Sequence, residues 1–302
     1  MRLLVTGRDG QVAASLLEAG QARAGLEVVA IGRPQLDLAK PETVIDAITA
    51  AKPDIVVSAA AYTAVDQAED ESDLAFAVNA TGAGKVAEAA ARLGVPVIHL
   101  STDYVFDGTR AGAYVETDPT APRNTYGASK LAGEQAVAAA NPRHLILRTA
   151  WAYSPFGRNF VKTMLKLAVD RDEIAVVADQ WGNPTSALDI ADAILHAAAM
   201  LHPRTGFSSF GVYHLVGTGE TNWSGFARHI LDTSRVFGGP WARVRDIATV
   251  DYPTKARRPA NSTLSTAKFT ATCGWTAPEW QLSTKEIVSR LLNGQTGHAS
   301  NV

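Results

Sequence analysis

The first half of the chain alternates short apolar runs with longer amphipathic or alanine-rich stretches, punctuated by glycine, proline and short polar turns. Residues 2–6 (RLLVT) read as a strand that stops at Gly7, and residues 11–23 have the composition and period of a helix. A second apolar run at 26–31 closes at Gly32, and residues 41–51 predict a helix with proline tolerated in its first turn. Further runs at 54–58, 95–100 and 144–149 predict strands, with helices over 72–93 and 124–140 between them. The order is βαβαβαβαβ. These runs are Val, Ile and Leu without polar alternation, the pattern of strands covered on both faces. They predict an α/β fold built on a Rossmann-like, doubly wound parallel sheet.

After Trp151 the rhythm changes. Helices are expected over 159–171, 188–201, 223–236 and 285–292, strands over 173–177 and 212–216, and residues 179–185 are turn-rich. The pattern predicts a smaller C-terminal substrate-binding lobe with some elements returning to the first sheet. Residues 1–153 and about 186–218 would form the dinucleotide-binding domain, about 154–185 and 219–294 the lobe, and 295–302 a flexible tail.

Composition narrows the function classes. With 28 Lys and Arg against 30 Asp and Glu among 302 residues, the formal charge is −2, which argues against nucleic acid or an anionic membrane as partner. No apolar run approaches the ~20 residues of a bilayer-spanning helix. The first seven residues lack the ~7–15-residue apolar core of an export signal, so a cytoplasmic protein is expected. One cysteine, Cys273, leaves no internal disulfide and no Cys-based zinc cage. The seven histidines show no HExxH spacing, so structural roles are expected for them and no metal site. The acidic run Asp66, Glu69, Asp70, Glu71 and Asp73 reads as a solvated face or a helix start.

Two constellations carry chemistry. Gly7, Gly10 and Ala13 follow the first strand and open the first helix. A dinucleotide pyrophosphate needs a tight turn, free backbone N–H groups at a helix N-terminus, and a small residue where helix meets sheet. An ordinary strand-to-helix turn is the alternative. At the end of the second strand the sequence is Ile31-Gly32-Arg33-Pro34, with no acidic residue before Asp37. An arginine there suits a 2′-phosphate, which tilts the cofactor towards NADPH and leaves NADH open. Tyr126 and Lys130, four apart on a predicted helix, share one face. A free phenol is a poor proton donor or acceptor at neutral pH, and a neighbouring ammonium is expected to lower its pKa. Thr102, at the carboxyl end of the fourth strand, is placed to donate to a substrate carbonyl. Arg257 and Arg258 match the geometry of a diphosphate, or else lie on the surface.

On the segments TGRDGQVA (6–13), AAAYTAVDQAE (59–69), VNATGA (78–83), STDYVFDG (101–108), YGASKLAGE (126–134), RTAWAY (148–153), DQWGNPT (179–185) and RRPANSTL (257–264), the chain resembles the dTDP-4-dehydrorhamnose reductases, a branch of the extended short-chain dehydrogenase/reductase superfamily. The resemblance implies that NAD(P)H delivers hydride to C4 of dTDP-4-dehydro-β-L-rhamnose, giving dTDP-β-L-rhamnose for cell-surface polysaccharide. Carried over by position, Tyr126 would be the proton donor, Lys130 its electrostatic partner and ribose ligand, and Thr102 the group that polarises the ketone. Gly7, Gly10, Gln11 and Val12 would line the pyrophosphate, Ala61, Tyr62 and Thr63 would follow the cofactor, and Asp37 and Leu38 would lie near the adenine. Asp103, Tyr104 and Trp151 would meet the substrate. Ser15 and Leu188 stand where some members carry glutamates of a magnesium site at a dimer interface, which implies no structural Mg²⁺ and leaves monomer or homodimer open. Two alternatives compete: another nucleotide-sugar 4-ketoreductase, dehydratase or epimerase, and a non-catalytic NADP-binding regulatory subunit. Tyr104 cannot serve as the carboxylate base a dehydratase needs, and a regulatory subunit has no need to keep Thr102, Tyr126 and Lys130 together.

Overall fold

A computed structural model describes residues 1–201 and 205–296; the expected tail at 295–302 lies almost wholly outside them, as do His202 and His298. The strands are β1 (Arg2–Thr6), β2 (Glu27–Ile31), β3 (Ile55–Ser58), β4 (Val97–Thr102), β5 (His144–Thr149) and, later in the chain, β10 (Gly211–His214). They form one six-stranded parallel sheet in the order β10-β5-β4-β3-β1-β2. The chain reverses direction across the sheet between β1 and β3, the switch point where open α/β sheets bind ligands.

Helices cover both faces. α1 (Gln11–Gln21) and α7 (Ala187–Met200) bury Leu16, Ile190 and Ile194 against Leu3, Val5, Ile98 and Leu147 on one side. On the other, α2 (Glu42–Ala51) and the long helix after β3 bury Val44, Ile48, Val86 and Ala90 against Leu4, Val56, Val97 and Ile146. Leu3 and Leu4, neighbours in sequence, thus reach opposite cores, as the two-residue period of a strand requires.

The helix expected over 72–93 contains an internal change of winding. α3 (Ser72–Phe76) passes through a π-turn at Ala77–Gly82 into α4 (Ala83–Arg92). A Cβ at Gly82 would fall 2.6 Å from the Leu38 carbonyl, so the wide turn and its glycine let the loop after β2 close on the helix. β4 runs two residues further than its apolar pattern, so Thr102 is its last residue. α5 (Thr125–Ala140) is capped by Asn124, whose carboxamide oxygen accepts from the Gly127 amide at 2.7 Å.

The remaining elements gather round a second core. β6 (Ala152–Tyr153) pairs with β9 (Thr185–Ser186), and α6 (Phe160–Asp170), α8 (Trp223–Val236) and α10 (Trp280–Thr296) pack around Tyr153, Val161, Phe226, Ile230 and Ile287. β7 (Glu173–Val177) pairs in parallel with β12 (Arg243–Ile247), a strand too polar for its apolar pattern to signal. The turn-rich stretch at 179–185 holds β8 (Trp181–Gly182), paired with β11 (Thr221–Asn222). α9 (Ala267–Cys273) returns to the first sheet, where Phe269 and Cys273 join the core with Tyr213 and Leu195. Cys273 is buried and free.

Candidate active site

The carboxyl ends of β1, β3, β4 and β5 carry the phosphate turn, the 59–63 segment, Asp103–Tyr104 and Trp151 at one edge of the sheet. Gly7 adopts φ +91°, and a Cβ on it would sit 3.3 Å from that of Ala60, just beyond β3, so the turn suits glycine on both counts. Gly10 precedes α1 with no side chain capping the first-turn amides, and a Cβ on it would meet nothing within 4 Å. Ala13 is fully buried against the sheet. An uncapped helix start, an open approach and a small packing residue fit a dinucleotide pyrophosphate.

The Gln11 side chain spans the two cores. Its carboxamide oxygen accepts from Ser154 Oγ at 2.8 Å and Asn159 Nδ2 at 3.0 Å, and its nitrogen donates to the Ala152 carbonyl at 3.3 Å. This ties the phosphate turn to the loop that starts the second core. Val12 packs against the first core. Arg33 is exposed at the end of β2, and its side chain has no hydrogen bond or ion pair. Arg8, in the phosphate turn, lies against Gly32, the residue before Arg33: a Cβ on Gly32 would be 3.1 Å from Arg8 Cγ. Asp37 turns its carboxylate back to the Ala39 amide at 3.1 Å, and Leu38 is buried against Gly82. Of the segment after β3, Ala61 is half-buried and Thr63 exposed. Tyr62 is held at both ends, its amide donating to Asn79 Oδ1 and its hydroxyl to Glu71, each at 2.8 Å. Burial and that carboxylate push the Tyr62 phenol up to about 12.

Asn79, placed by the π-turn, also donates to Ser129 Oγ at 2.9 Å, so one side chain joins the cofactor-side loop to α5. A Cβ on Gly133 would fall 2.1 Å from the Asn79 carbonyl, which accounts for a glycine inside that helix.

Thr102 and Asp103 are buried at the end of β4. The Thr102 hydroxyl donates to Asp103 Oδ1 at 2.9 Å and accepts from the Tyr104 amide at 3.2 Å. The second Asp103 oxygen is buried without a partner, and burial raises that carboxyl to about 6, with the neighbouring Ser262 and Thr102 hydroxyls working against it. Tyr104 meets Tyr126 edge to face, ring centres 5.7 Å apart. Arg258 lies over the Tyr104 ring, 5.9 Å from its centre, and pairs with Asp66 at 2.7 Å.

The Tyr–Lys pair departs from expectation in one respect. Burial pushes the Tyr126 phenol up to about 12, a hydrogen bond with Thr102 works the other way, and the Asp103 charge raises it further. The neighbouring ammonium does not offset that burial; the Lys130 amine, itself buried, donates to the Leu100 carbonyl at 2.6 Å. Burial brings the Lys130 ammonium down to about 8.

Trp151 takes a left-handed backbone conformation, φ +46°, which bulky side chains rarely adopt. The ring is fixed by a parallel stack on Trp223, 3.6 Å between centres and 8° between planes, and by Gly182, where a Cβ would fall 2.6 Å from the indole. It packs against both the second core and the cluster of Val105, Phe106 and Val216 beside β4.

The acidic run opens two short helical segments, as one of its two readings expected, and although Asp70 and Asp73 are exposed it also holds neighbouring chain. Asp66 accepts from the Ala256 amide and Arg258, Asp70 pairs with Lys255, and Glu69 accepts from the Thr125 amide at 2.8 Å. These carboxylates moor the 255–258 segment and the start of α5 beside the cleft. The segment also borders a depression lined by Asp179, Thr249, Tyr252 and the exposed Arg257. His99 and His214 are buried structural residues, and among the described residues no group of three or more His, Cys, Asp and Glu is placed to hold a metal ion. Among the described residues no helix is long and apolar enough to cross a membrane.

Comparison with known proteins identifies the family. Residues 1–293 match the family described as the RmlD substrate binding domain. A dTDP-4-dehydrorhamnose reductase of Sinorhizobium fredii is 52% identical over 97% of this chain and 98% of its own. A solved dTDP-4-dehydrorhamnose reductase from Clostridium acetobutylicum superposes with a TM-score of 0.89 at 35% identity, covering 97% of this chain and 100% of the other. One from Bacillus anthracis, in complex with NADP, superposes with a TM-score of 0.87 at 35% identity, covering 95% and 98%.

Proposed function

The chain belongs to the RmlD substrate binding domain family, and from that membership we propose how its cleft performs the reaction. The activity is that of a dTDP-4-dehydrorhamnose reductase, an NAD(P)H-dependent oxidoreductase of dTDP-L-rhamnose biosynthesis. In the finer reading, the substrate is dTDP-4-dehydro-β-L-rhamnose and the C4 ketone becomes the alcohol of dTDP-β-L-rhamnose. The sheet half, residues 1–153 with about 186–218, carries the cofactor, and the remaining segments up to 294 carry the sugar nucleotide.

Gly7, Gly10, Gln11 and Val12 hold the pyrophosphate, the uncapped amides of α1 supplying donors. Arg33, with Arg8 beside it, faces the adenosine ribose. Asp37 and Leu38 flank the adenine, and Ala61, Tyr62 and Thr63 line the path towards the nicotinamide. When bound, the nicotinamide supplies the hydride, and the protein supplies orientation and a proton.

As hydride reaches C4, negative charge develops on the ketone oxygen. Thr102 and Tyr126 donate hydrogen bonds to it, and Tyr126 then transfers its proton, so the alkoxide leaves as an alcohol. For this direction a raised phenol is an advantage, since Tyr126 stays protonated and ready to donate throughout the neutral range. Lys130 stabilises the phenolate left behind and binds the ribose. Asp103, Tyr104 and Trp151 orient the sugar, with Arg257 and Arg258 at the outer rim for its diphosphate.

The observation that carries the reading is the convergence of Thr102, Asp103, Tyr104 and Tyr126 at the end of β4, beside a turn built for a dinucleotide. The test is single-turnover reduction of the 4-keto sugar nucleotide by enzyme preloaded with NADPH. Thr102→Val should slow the chemical step with NADPH affinity unchanged. An unchanged step would remove Thr102 from ketone activation.

A further inference from the structure

Tyr126, Lys130 and Glu134 are spaced four apart on α5 and share one face of it. Glu134 is buried and fully engaged. It accepts from Ser101 Oγ at 2.5 Å and takes a two-pronged pair from Arg148, Nε at 2.9 Å and Nη2 at 2.7 Å. Ser101 and Arg148 face each other across β4 and β5, so one carboxylate fastens α5 to both strands, one residue short of Thr102. The third Arg148 nitrogen has no partner, and the guanidinium lies 5.0 Å over the Phe106 ring.

No step of hydride or proton transfer touches this pair. Burying two charges carries a desolvation penalty that a well-packed apolar pair avoids, so packing alone does not explain it. Its neighbour does. Burial disfavours the Lys130 ammonium, and the Glu134 charge opposes that effect. His99, on β4, also faces the lysine and is held neutral, first by burial and then by the lysine itself. Arg148 lies on the far side of the carboxylate, and Asp103 acts on Tyr126.

We infer that Glu134 is a positioning residue: fixed by Ser101 and Arg148, its carboxylate keeps Lys130 charged while Tyr126 gives up its proton. The inference rests on the roles of Tyr126 and Lys130 proposed above. A neutral lysine cannot stabilise the phenolate, so turnover falls as pH rises through the lysine's titration, and Glu134 sets where that fall begins.

The experiment is the pH profile of kcat/KM for the 4-keto sugar nucleotide at saturating NADPH. Glu134→Gln should move the alkaline fall to lower pH by about half a pH unit or more. Arg148→Met, which removes the opposing cation, should leave it at or above the wild-type position. Should Glu134→Gln fail to fold with Arg148 unpaired, the Glu134→Gln/Arg148→Met double variant, free of the buried pair, is read instead, with the same downward displacement expected. A loss of activity by one factor at every pH, with the alkaline fall unmoved, would overturn the inference and leave Glu134 a structural anchor only. Failure of the underlying site reading looks different: full turnover in Tyr126→Phe would show it whatever the Glu134 variants do.

Discussion

Trp151 and Trp223 stack face to face, 3.6 Å between ring centres, one from the end of β5 and the other from the first residue of α8. The stack holds a residue in a left-handed conformation, and it links the cluster beside β4 to the second core. The orientation of the indole proposed to face the substrate is therefore set by a partner on α8.

Removing that partner should be felt at the sugar. Trp223→Ala is expected to cost about 2–4 kcal/mol of stability and to raise the sugar-nucleotide KM more than it lowers kcat. Denaturant unfolding with steady-state kinetics checks both, and an unchanged KM would detach the stack from substrate binding.

Tyr126→Phe removes the proton but keeps the ring packed on Tyr104. Turnover should fall about 100- to 10,000-fold while NADPH binding, followed by nicotinamide fluorescence, is unaltered. Parallel losses in both would mean that the ring builds the cofactor site rather than supplying the proton.

Arg8 and Arg33 flank Gly32, and among the described residues neither guanidinium has a hydrogen-bond or ion-pair partner; a 2′-phosphate would supply one. Arg33→Ala should weaken NADPH about tenfold and leave NADH nearly unchanged, and Arg8→Ala should add to the loss. Equal effects on the two cofactors in direct binding would show that neither arginine reads the phosphate.

Asp189, away from the cleft, gives a pH test of stability. Burial raises its carboxyl to about 6 from the ordinary 3.8, against a hydrogen bond from Ser283 and with the charges of Glu286 and Asp192 adding to the rise. The folded state therefore holds this proton more tightly than the unfolded chain. The stabilising contribution is complete below about pH 4 and is lost as pH climbs through about 6. Asp189→Asn should raise the melting temperature at neutral pH relative to wild type, with the gain shrinking towards pH 4. A gain that is constant with pH would contradict the assignment.

The parallel sheet was legible because its strands are apolar on both faces, and the phosphate turn because Gly7 and Gly10 interrupt strand and helix at fixed places. Tyr126 and Lys130 were legible as neighbours on one helical face, whereas Asn124, read as the helix's first residue, is its cap. What was hidden depends on contacts between residues far apart in sequence. β12 carries Arg243, Arg245 and Asp246 on a largely exposed ribbon, so no apolar period marks it, and only its pairing with β7 makes it a strand. The acidic run at 66–71 looks solvated until 255–258 folds onto it. The expected lowering of the Tyr126 phenol failed because spacing fixes which face a lysine shares, not how deeply the phenol is buried, and burial raises it.

The most direct test of the whole account is the loss of NADPH absorbance when purified protein meets dTDP-4-dehydro-β-L-rhamnose, run beside other 4-keto sugar nucleotides. Rapid oxidation with that sugar, giving dTDP-β-L-rhamnose as product, is the predicted result. Bound NADPH that stays reduced in its presence would contradict it.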